Sequence, residues 1–278
     1  MGGGRPGTTF FGARCEAHAI VLRIATLNVN GLRSAAAKGV LRWMRRVDPD
    51  VLCVQEIKAN EADLPAACRV PRGWHAAFCS ARRKGYAGTA LYAKIAPRRV
   101  QRGFGVAEFD DEGRYLEAEF AKLTVISVYF PSGSAGPERQ ASKLRFLAAF
   151  LPHLARLQAS GREVILCGDV NMAHREIDLK NWRANQNYPG FTPEERGWLT
   201  ELFDRHGWVD VFRKVDARPE QYTWWSNRGQ AWKNNVGWRI DYQIATPGIA
   251  ARAQRVEIYK RKRFSDHAPL VIDYDANP

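Results

Sequence analysis

Short apolar runs that each stop at an acid, an amide or a histidine constrain this chain more than any other feature. Ile24–Leu27 runs into Asn28-Val29-Asn30, Val51–Val54 into Gln55-Glu56, and Val164–Cys167 into Gly168-Asp169-Val170-Asn171. Ser265-Asp266-His267 stands just before another such run, Ala268–Ile272. Runs of this length, rich in Val and Ile, read as buried strands. Strand ends converge in α/β proteins, so polar side chains far apart in sequence can meet at one sheet edge. Carboxylates and carboxamides gathered in this way suit a hard divalent cation such as Mg²⁺, which takes oxygen ligands.

The elements between these runs alternate. Ser34–Val47 reads as one helix with Val40, Trp43, Met44 and Val47 at helical spacing, ended by Asp48-Pro49. Trp74–Cys79, Thr89–Ala93, Tyr115–Phe120 and Leu123–Tyr129 read as strands, several close enough in sequence to pair antiparallel. A long helix is predicted after Pro137, with Leu144, Leu147, Ala148, Leu151, Leu154 and Leu157 as its apolar stripe and Pro152 as a kink or break. Thr192-Pro193-Glu194-Glu195 reads as a capping box opening a helix that runs to about Gly207. Further strands are expected at Tyr222–Trp225, Trp238–Ala245, Arg255–Tyr259 and Pro269–Tyr274. Antiparallel neighbours mixed with crossover helices do not fit a purely parallel sheet. Two mixed sheets packed face to face, with helices outside, fit better.

Lys and Arg number 42 against 29 Asp and Glu, a net charge of +13 that favours phosphate-rich partners. The cationic runs, such as Arg82-Arg83-Lys84 and Lys260-Arg261-Lys262-Arg263, can equally be solvated faces. An acidic, metal-suited pocket within a basic chain points to hydrolysis of a polyanion. Five cysteines without CxxC spacing fit a reducing cytosol better than a disulfide scaffold or zinc site. No stretch approaches the apolar length of a membrane span. Residues 1–20 read as a disordered extension or a translation-start artefact, with a mitochondrial-type presequence as the weaker alternative, and 21–278 as a single domain.

The chemistry can be assigned by residue type. Glu56 is a metal-ligand candidate once paired with Asn28 or Asn30 from a neighbouring strand end. Asp169 and Asn171 lie two apart, so in extended chain both point the same way: a carboxylate to take a proton from water, an amide to donate to a developing oxyanion. The alternative is an Asx-turn closing the strand. Gly168 before them allows a tight turn or a close approach.

LNVNGLR (27–33), QEIK (55–58), VYFPSG (128–133), GDVNMAHREIDL (168–179), GFTPEER (190–196), NVGWRIDY (235–242) and SDHAP (265–269) follow one another in order. Together they closely resemble the exonuclease III branch of abasic-site DNA endonucleases, in the endonuclease/exonuclease/phosphatase superfamily, over about residues 22–275. The resemblance implies a DNase I-like four-layer α/β sandwich with its site at one end of both sheets. It makes Glu56 the main metal ligand, assisted by Asn28 or Asn30, and Asp169 the residue that activates water. Asn171 and Tyr129 would hold the phosphate, and His267, oriented by Asp241, would contact it. Asp266 would lie near a metal or the leaving group. Asp169, Asn171 and His267 are further metal-ligand candidates, for one or two ions of Mg²⁺ or Mn²⁺. For DNA, the resemblance points to Trp224, Trp238 and Ile240 as a slot for a flipped-out abasic sugar. Arg228, Arg239, Lys84 and Asn185 would serve as further contacts, whereas Tyr188 stands where the family pattern carries asparagine.

The expected activity is therefore cleavage 5′ to an abasic site, with possible 3′→5′ exonuclease and 3′-phosphodiesterase action. The expected enzyme is a cytoplasmic monomer acting on double-stranded DNA with abasic sites or 3′ ends, at the nucleoid and not at a membrane. Two competitors remain: a phosphodiesterase or phosphatase for lipids or small phosphates, and a DNA-binding module with a dead site.

Overall fold

The computed structural model describes residues 21–277; the N-terminal extension expected over residues 1–20 lies outside them. Its frame is two six-stranded mixed sheets. The strands are β1 (Val21–Asn28), β2 (Val51–Gln55), β3 (His75–Cys79), β4 (Thr89–Ala93), β5 (Arg99–Arg102), β6 (Tyr115–Glu119) and β7 (Leu123–Tyr129). The second half adds β8 (Glu163–Asp169), β9 (Val209–Asp210), β10 (Trp224–Trp225), β11 (Gly237–Trp238), β12 (Asp241–Ala245), β13 (Ala253–Ile258) and β14 (Leu270–Asp275). One sheet runs β13-β14-β1-β2-β4-β3 and the other β5-β6-β7-β8-β12-β9, while β10 and β11 form a separate two-stranded ribbon.

Alternation along each strand sorts its side chains into layers. On β1, Leu22 and Ile24 face the opposing sheet, where they pack with Val125 and Ile165. Ala25 and Leu27 face outward under Trp43 and Met44 of the helix Val40–Val47. On the second sheet Ile126, Val128, Val164 and Leu166 lie outward beneath Phe146, Phe150 and Leu154 of the helix Pro137–Ala159. The result is helix, sheet, sheet, helix, the sandwich expected from the mixed connections. Among the described residues no helix is long and apolar enough to cross a membrane.

Polar side chains also bridge the sheets. Gln55 on β2 accepts from Thr26 at 3.2 Å and donates to Ser127 on β7 at 3.0 Å. Gln243 on β12 donates to the carbonyl of Ile24 at 2.9 Å and accepts from the Tyr274 hydroxyl at 2.8 Å. Buried polar groups cost free energy unless paired, and each of these is paired.

Local differences from the sequence reading have local causes. The helix expected over Ser34–Val47 is two, Leu32–Ala37 and Val40–Val47, separated at Gly39, whose φ of 94° cannot continue a right-handed helix. The helix Pro137–Ala159 runs through Pro152 without a break. Its buried face takes only part of the leucine stripe: Leu147 and Leu154 are buried with Lys143, Phe146, Phe150 and His153, whereas Leu144, Leu151 and Leu157 are half-buried and Ala148 is exposed. The expected capping box is present, Thr192 accepting from the N–H of Glu195 at 3.3 Å and Glu195 from that of Thr192 at 2.9 Å. The strand β5, rich in Arg and Gln, carries no apolar alternation and was not anticipated.

Gly168 is needed for close approach, not for a turn. A Cβ there would lie 1.8 Å from the carbonyl oxygen of Val128 on the neighbouring strand. Backbone in a buried sheet cannot move aside, so Gly168→Ala is expected to cost about 3 kcal/mol in chemical denaturation. A stability unchanged from that of the parent protein would contradict this packing.

Candidate active site

The apolar runs end at one edge of both sheets, and strand register fixes which residues meet. Asn28 pairs with Gln55 in β1–β2, Tyr129 with Asp169 in β7–β8, and Asp241 with Asp169 in β12–β8. Among the hydrogen bonds that join the two sheets at this edge, Asn28 Nδ2 donates to Asp169 Oδ2 at 2.9 Å, with both side chains buried.

Three of the runs are closed by the same local device, a side-chain oxygen accepting the backbone N–H two residues on. Asn28 accepts from Asn30 at 2.9 Å, Asp169 from Asn171 at 2.9 Å, and Ser265 from His267 at 3.0 Å. These are Asx- and Ser-turns. The extended-chain argument for Asp169 and Asn171 is thereby corrected. Asn171 has φ 55°, and the turn, not strand alternation, brings its amide to 3.3 Å from Asp169 Oδ2.

Left-handed backbone is concentrated here. Asn30, Glu56, Lys58 and Asn171 have φ of 45°, 54°, 49° and 55°. Asn tolerates this region, but Glu and Lys adopt it only where surrounding bonds over-determine the backbone. Those bonds are present: Gly31 and Leu32 donate to the carbonyls of Glu56 and Ile57, and Ile57 and Lys58 donate to those of Gly88 and Ala87.

Proton-handling groups sit at the centre. His267 Nδ1 bonds Asp241 Oδ2 at 2.8 Å, and its Nε2 lies 3.8 Å from Asp169 Oδ2. Burial disfavours the charged imidazole, but Asp241, Asp169 and Asp266 outweigh it and hold His267 up to about 10. Burial pushes the Asp169 carboxyl up to about 7, with His267 opposing and Asp241 reinforcing that shift. The ligand atoms of Asp169, Asp241 and His267 lie within 4.8 Å of one another. In this state the trio can pass a proton between carboxylate and imidazole, and with His267 neutral the same atoms could hold a metal ion.

The oxygen-rich side of the site lies beside it. Glu56 Oε1 accepts from the Tyr129 hydroxyl at 2.6 Å. Burial and the neighbouring Glu56 drive that phenol well above its ordinary range, so it stays a donor. Asp266 accepts from Asn30 at 2.9 Å and from the Trp224 indole at 3.1 Å. Burial of Asp266 is outweighed by His267 and these donors, which keep its carboxyl below the usual range. Lys58 Nζ lies 2.6 Å from Asn30 Oδ1 and 3.7 Å from Glu56 Oε1. Glu56 and the Asn30 amide oxygen thus already draw a cation, and with Asp266 bonded to the same Asn30 they offer the oxygen donors that a hard divalent ion takes.

Around this centre the ribbon pairs Trp224 with Trp238, a bridge pairs Trp224 with His267, and Ile240 is buried next in sequence. Lys84 and Arg228 are exposed. Asn185 is half-buried and spends one amide N–H on the carbonyl of Asn181 at 2.7 Å.

Arg239 is a correction. Alternation turns it away from Trp238 and Ile240, into the interior, where it is wholly buried. It bonds Asp178 at 2.8 Å and Asp210 at 2.6 Å and lies 4.3 Å over the Tyr242 ring. It cannot reach DNA.

Two buried cations were missed by sequence reading. Arg114 donates to the Tyr129 carbonyl at 3.0 Å and lies 4.7 Å over its ring. Lys143 donates to the carbonyl of Asn171 at 2.8 Å and pairs with buried Glu195 at 2.6 Å, tying the Asp169–Asn171 turn to the 190–195 segment. Neither has a local signal; Lys143 stands in a helix stretch where a basic residue ordinarily marks the solvated face.

The Endonuclease/Exonuclease/phosphatase family pattern matches residues 25–267. The chain belongs to this family. It is 38% identical over 253 residues to an exodeoxyribonuclease of Bacillus subtilis, covering 90% of this chain and 98% of that protein. It is 37% identical to the DNA repair nuclease APEX1 of Danio rerio, covering 92% and 83%. Among solved structures it resembles an AP endonuclease from Archaeoglobus fulgidus with a TM-score of 0.85 at 31% identity, covering 92% of this chain and all of that one. It also resembles the 3′ phosphatase NExo from Neisseria bound to a product DNA hairpin, with a TM-score of 0.83 at 27% identity, covering 92% and 100%.

Replacing Asp241 with Asn removes the charge nearest the imidazole. In metal-free protein the His267 pKa, read by NMR titration, is expected to fall from about 10 toward its ordinary 6.5. In the parent protein, stability contributed by this proton is full below pH 6.5 and lost as pH rises toward 10. A value that stays near 10 in Asp241→Asn would contradict the pairing.

Proposed function

We propose that this chain is a DNA repair nuclease that hydrolyses the phosphodiester on the 5′ side of an abasic site in double-stranded DNA. The observation that carries the reading is the junction of Asn28, Asp169, Asn171 and His267 directly beside the Trp224–Trp238 ribbon. Phosphodiester hydrolysis needs a positioned water, a proton acceptor and donors on the phosphoryl oxygens. The same centre accommodates removal of 3′ nucleotides and 3′ blocking groups, in line with the exodeoxyribonuclease and 3′ phosphatase among its relatives.

Asp169 takes a proton from the attacking water. A carboxyl near 7 combines useful basicity with a sufficient ionised fraction at neutral pH. Water oxygen bonds to phosphorus, and the bond to the 3′ oxygen of the preceding nucleotide breaks. That oxygen takes a proton from solvent water and leaves as a 3′-hydroxyl, Asp169 returns its proton to solvent, and the phosphate stays on the abasic sugar. His267, kept protonated by Asp241, donates from Nε2 to a phosphoryl oxygen. Asn171 Nδ2 and the Tyr129 hydroxyl supply further donors by exchanging their present carboxylate acceptors, Asp169 and Glu56, for the phosphate. Arg114 and Lys143 hold Tyr129 and Asn171 in place without touching substrate.

Glu56, with Asp266 and the Asn28 and Asn30 amides, would hold a divalent cation, Mg²⁺ or Mn²⁺. Bound there, it supplies Lewis-acid stabilisation of charge on the phosphate and leaving oxygen. The slot of Trp224, Trp238 and Ile240 takes the extruded sugar, and an unpaired nucleotide costs least to extrude.

The test is incision of a duplex carrying one tetrahydrofuran site. We expect a 3′-hydroxyl product that disappears with EDTA and returns with Mg²⁺. In Asp169→Asn, kcat should fall by about 10²–10⁴ while DNA affinity stays near that of the parent. Absence of metal-dependent incision, or turnover of inositol phosphates in its place, would overturn the reading, and equal losses of affinity and rate would overturn the base role.

A further inference from the structure

Tyr188 is a large aromatic residue with 50% of its surface exposed, set in the turn beside the reaction centre. Isolated exposed aromatics need no explanation, but this one is neither isolated nor loosely held. Its N–H donates to the carbonyl of Asn185 at 2.9 Å, and its own carbonyl accepts from Phe191 at 2.9 Å. Its ring meets Trp238 edge-on, with centroids 6.3 Å apart and planes at 62°. Trp238 is fixed in turn by Phe191, at 6.4 Å, and by its cross-strand partner Trp224. At Gly190 an added Cβ would lie 3.3 Å from the Trp238 ring and 3.1 Å from the carbonyl of Asn171. The tyrosine is thus held by the turn that also abuts the phosphate-handling asparagine. Nearby, Arg183 and Arg196 lie 4.4 Å and 4.6 Å over the rings of Trp182 and Phe191.

We propose that Tyr188 and Trp238 form a stacking subsite for one unpaired nucleobase. The occupant is the base of the nucleotide whose 5′ phosphate is to be cleaved. This deepens the nuclease reading and rests on it. An abasic sugar fills the Trp224–Trp238–Ile240 slot and carries no base. A base-bearing 3′-terminal nucleotide that puts its sugar in the same slot must place its base outside, and Tyr188 is the exposed ring at that rim. Every nucleobase has a π-face, so such a platform favours unpaired ends without reading sequence. Tyr188 therefore acts on the balance between two reactions of one centre: it supports release of unpaired 3′ nucleotides and contributes little to abasic incision.

The experiment compares the full-length protein with Tyr188→Ala and Tyr188→Phe on two duplexes. One ends in a mismatched 3′ 2-aminopurine, and the other carries an internal tetrahydrofuran site. In EDTA, binding of the first duplex should leave 2-aminopurine quenched with the parent and Tyr188→Phe, and brighter with Tyr188→Ala. Affinity for that duplex should drop about tenfold in Tyr188→Ala. With Mg²⁺, the ratio of terminal-nucleotide release to abasic incision should fall by a similar factor in Tyr188→Ala and stay unchanged in Tyr188→Phe. Equal losses on both duplexes, unaltered fluorescence, or a Tyr188→Phe protein that behaves like Tyr188→Ala would each overturn the subsite. Failure of the parent protein to incise the abasic duplex would instead count against the nuclease reading, since the metal-free fluorescence still reports stacking.

Discussion

The hydrogen bond from Asn28 to Asp169 is where two separately built sheets become one site. Asn28 ends a strand of one sheet and Asp169 a strand of the other, 141 residues later in sequence. The bonds Tyr129–Glu56 and His267–Asp241 cross between the sheets beside that contact. The Asn28 bond fixes one oxygen of the carboxylate, while the N–H of Asn171 fixes the other. The sheets can present the pair in register because Gln55, Ser127, Gln243 and Tyr274 bridge them behind it. An apolar interface alone would tolerate small slippage; directional bonds between the sheets do not.

Electrostatics at this edge are divided between two neighbouring groups. On one side, Asp241 and Asp169 keep His267 protonated, while burial raises the Asp169 carboxyl beside it. On the other, Glu56 and the Asn30 amide hold Lys58, and Asn30 also bonds Asp266. Left-handed backbone at Asn30, Glu56, Lys58 and Asn171 costs conformational free energy and gives these side chains an orientation that regular strands do not. The expense is local, and bonds from Gly31, Leu32, Gly88 and Ala87 sustain it. The buried pair Lys143–Glu195 follows the same logic, since a buried ion pair contributes little to stability yet admits only one arrangement of its partners.

Much of this was legible in the chain. The apolar runs, the residues that stop them, and the antiparallel spacing of 115–129 were sufficient for the sandwich and for most of the residues at its edge. Thr192 and Glu195 announced their helix start outright. What could not be read depends on partners distant in sequence. Arg239 looks like a phosphate contact beside Trp238, but strand alternation turns it inward onto Asp178 and Asp210. Of the leucines of 144–157 expected as a buried stripe, Leu147 and Leu154 are buried, but the sheet beneath also takes Phe146, Phe150 and His153, because that face meets other aromatics such as Phe104 and Phe130. The turns closing the runs were visible as Asx candidates at Asp169, but their recurrence at Asn28 and Ser265 was not.

The central claim is that Asn28 works through Asp169 across the sheet junction. A double-mutant cycle in single-turnover incision of an abasic duplex tests it, using Asn28→Ala, Asp169→Ala and the double variant. The account predicts that Asn28→Ala slows the parent enzyme markedly and adds almost nothing once Asp169 is gone. Full additivity of the two losses would contradict it.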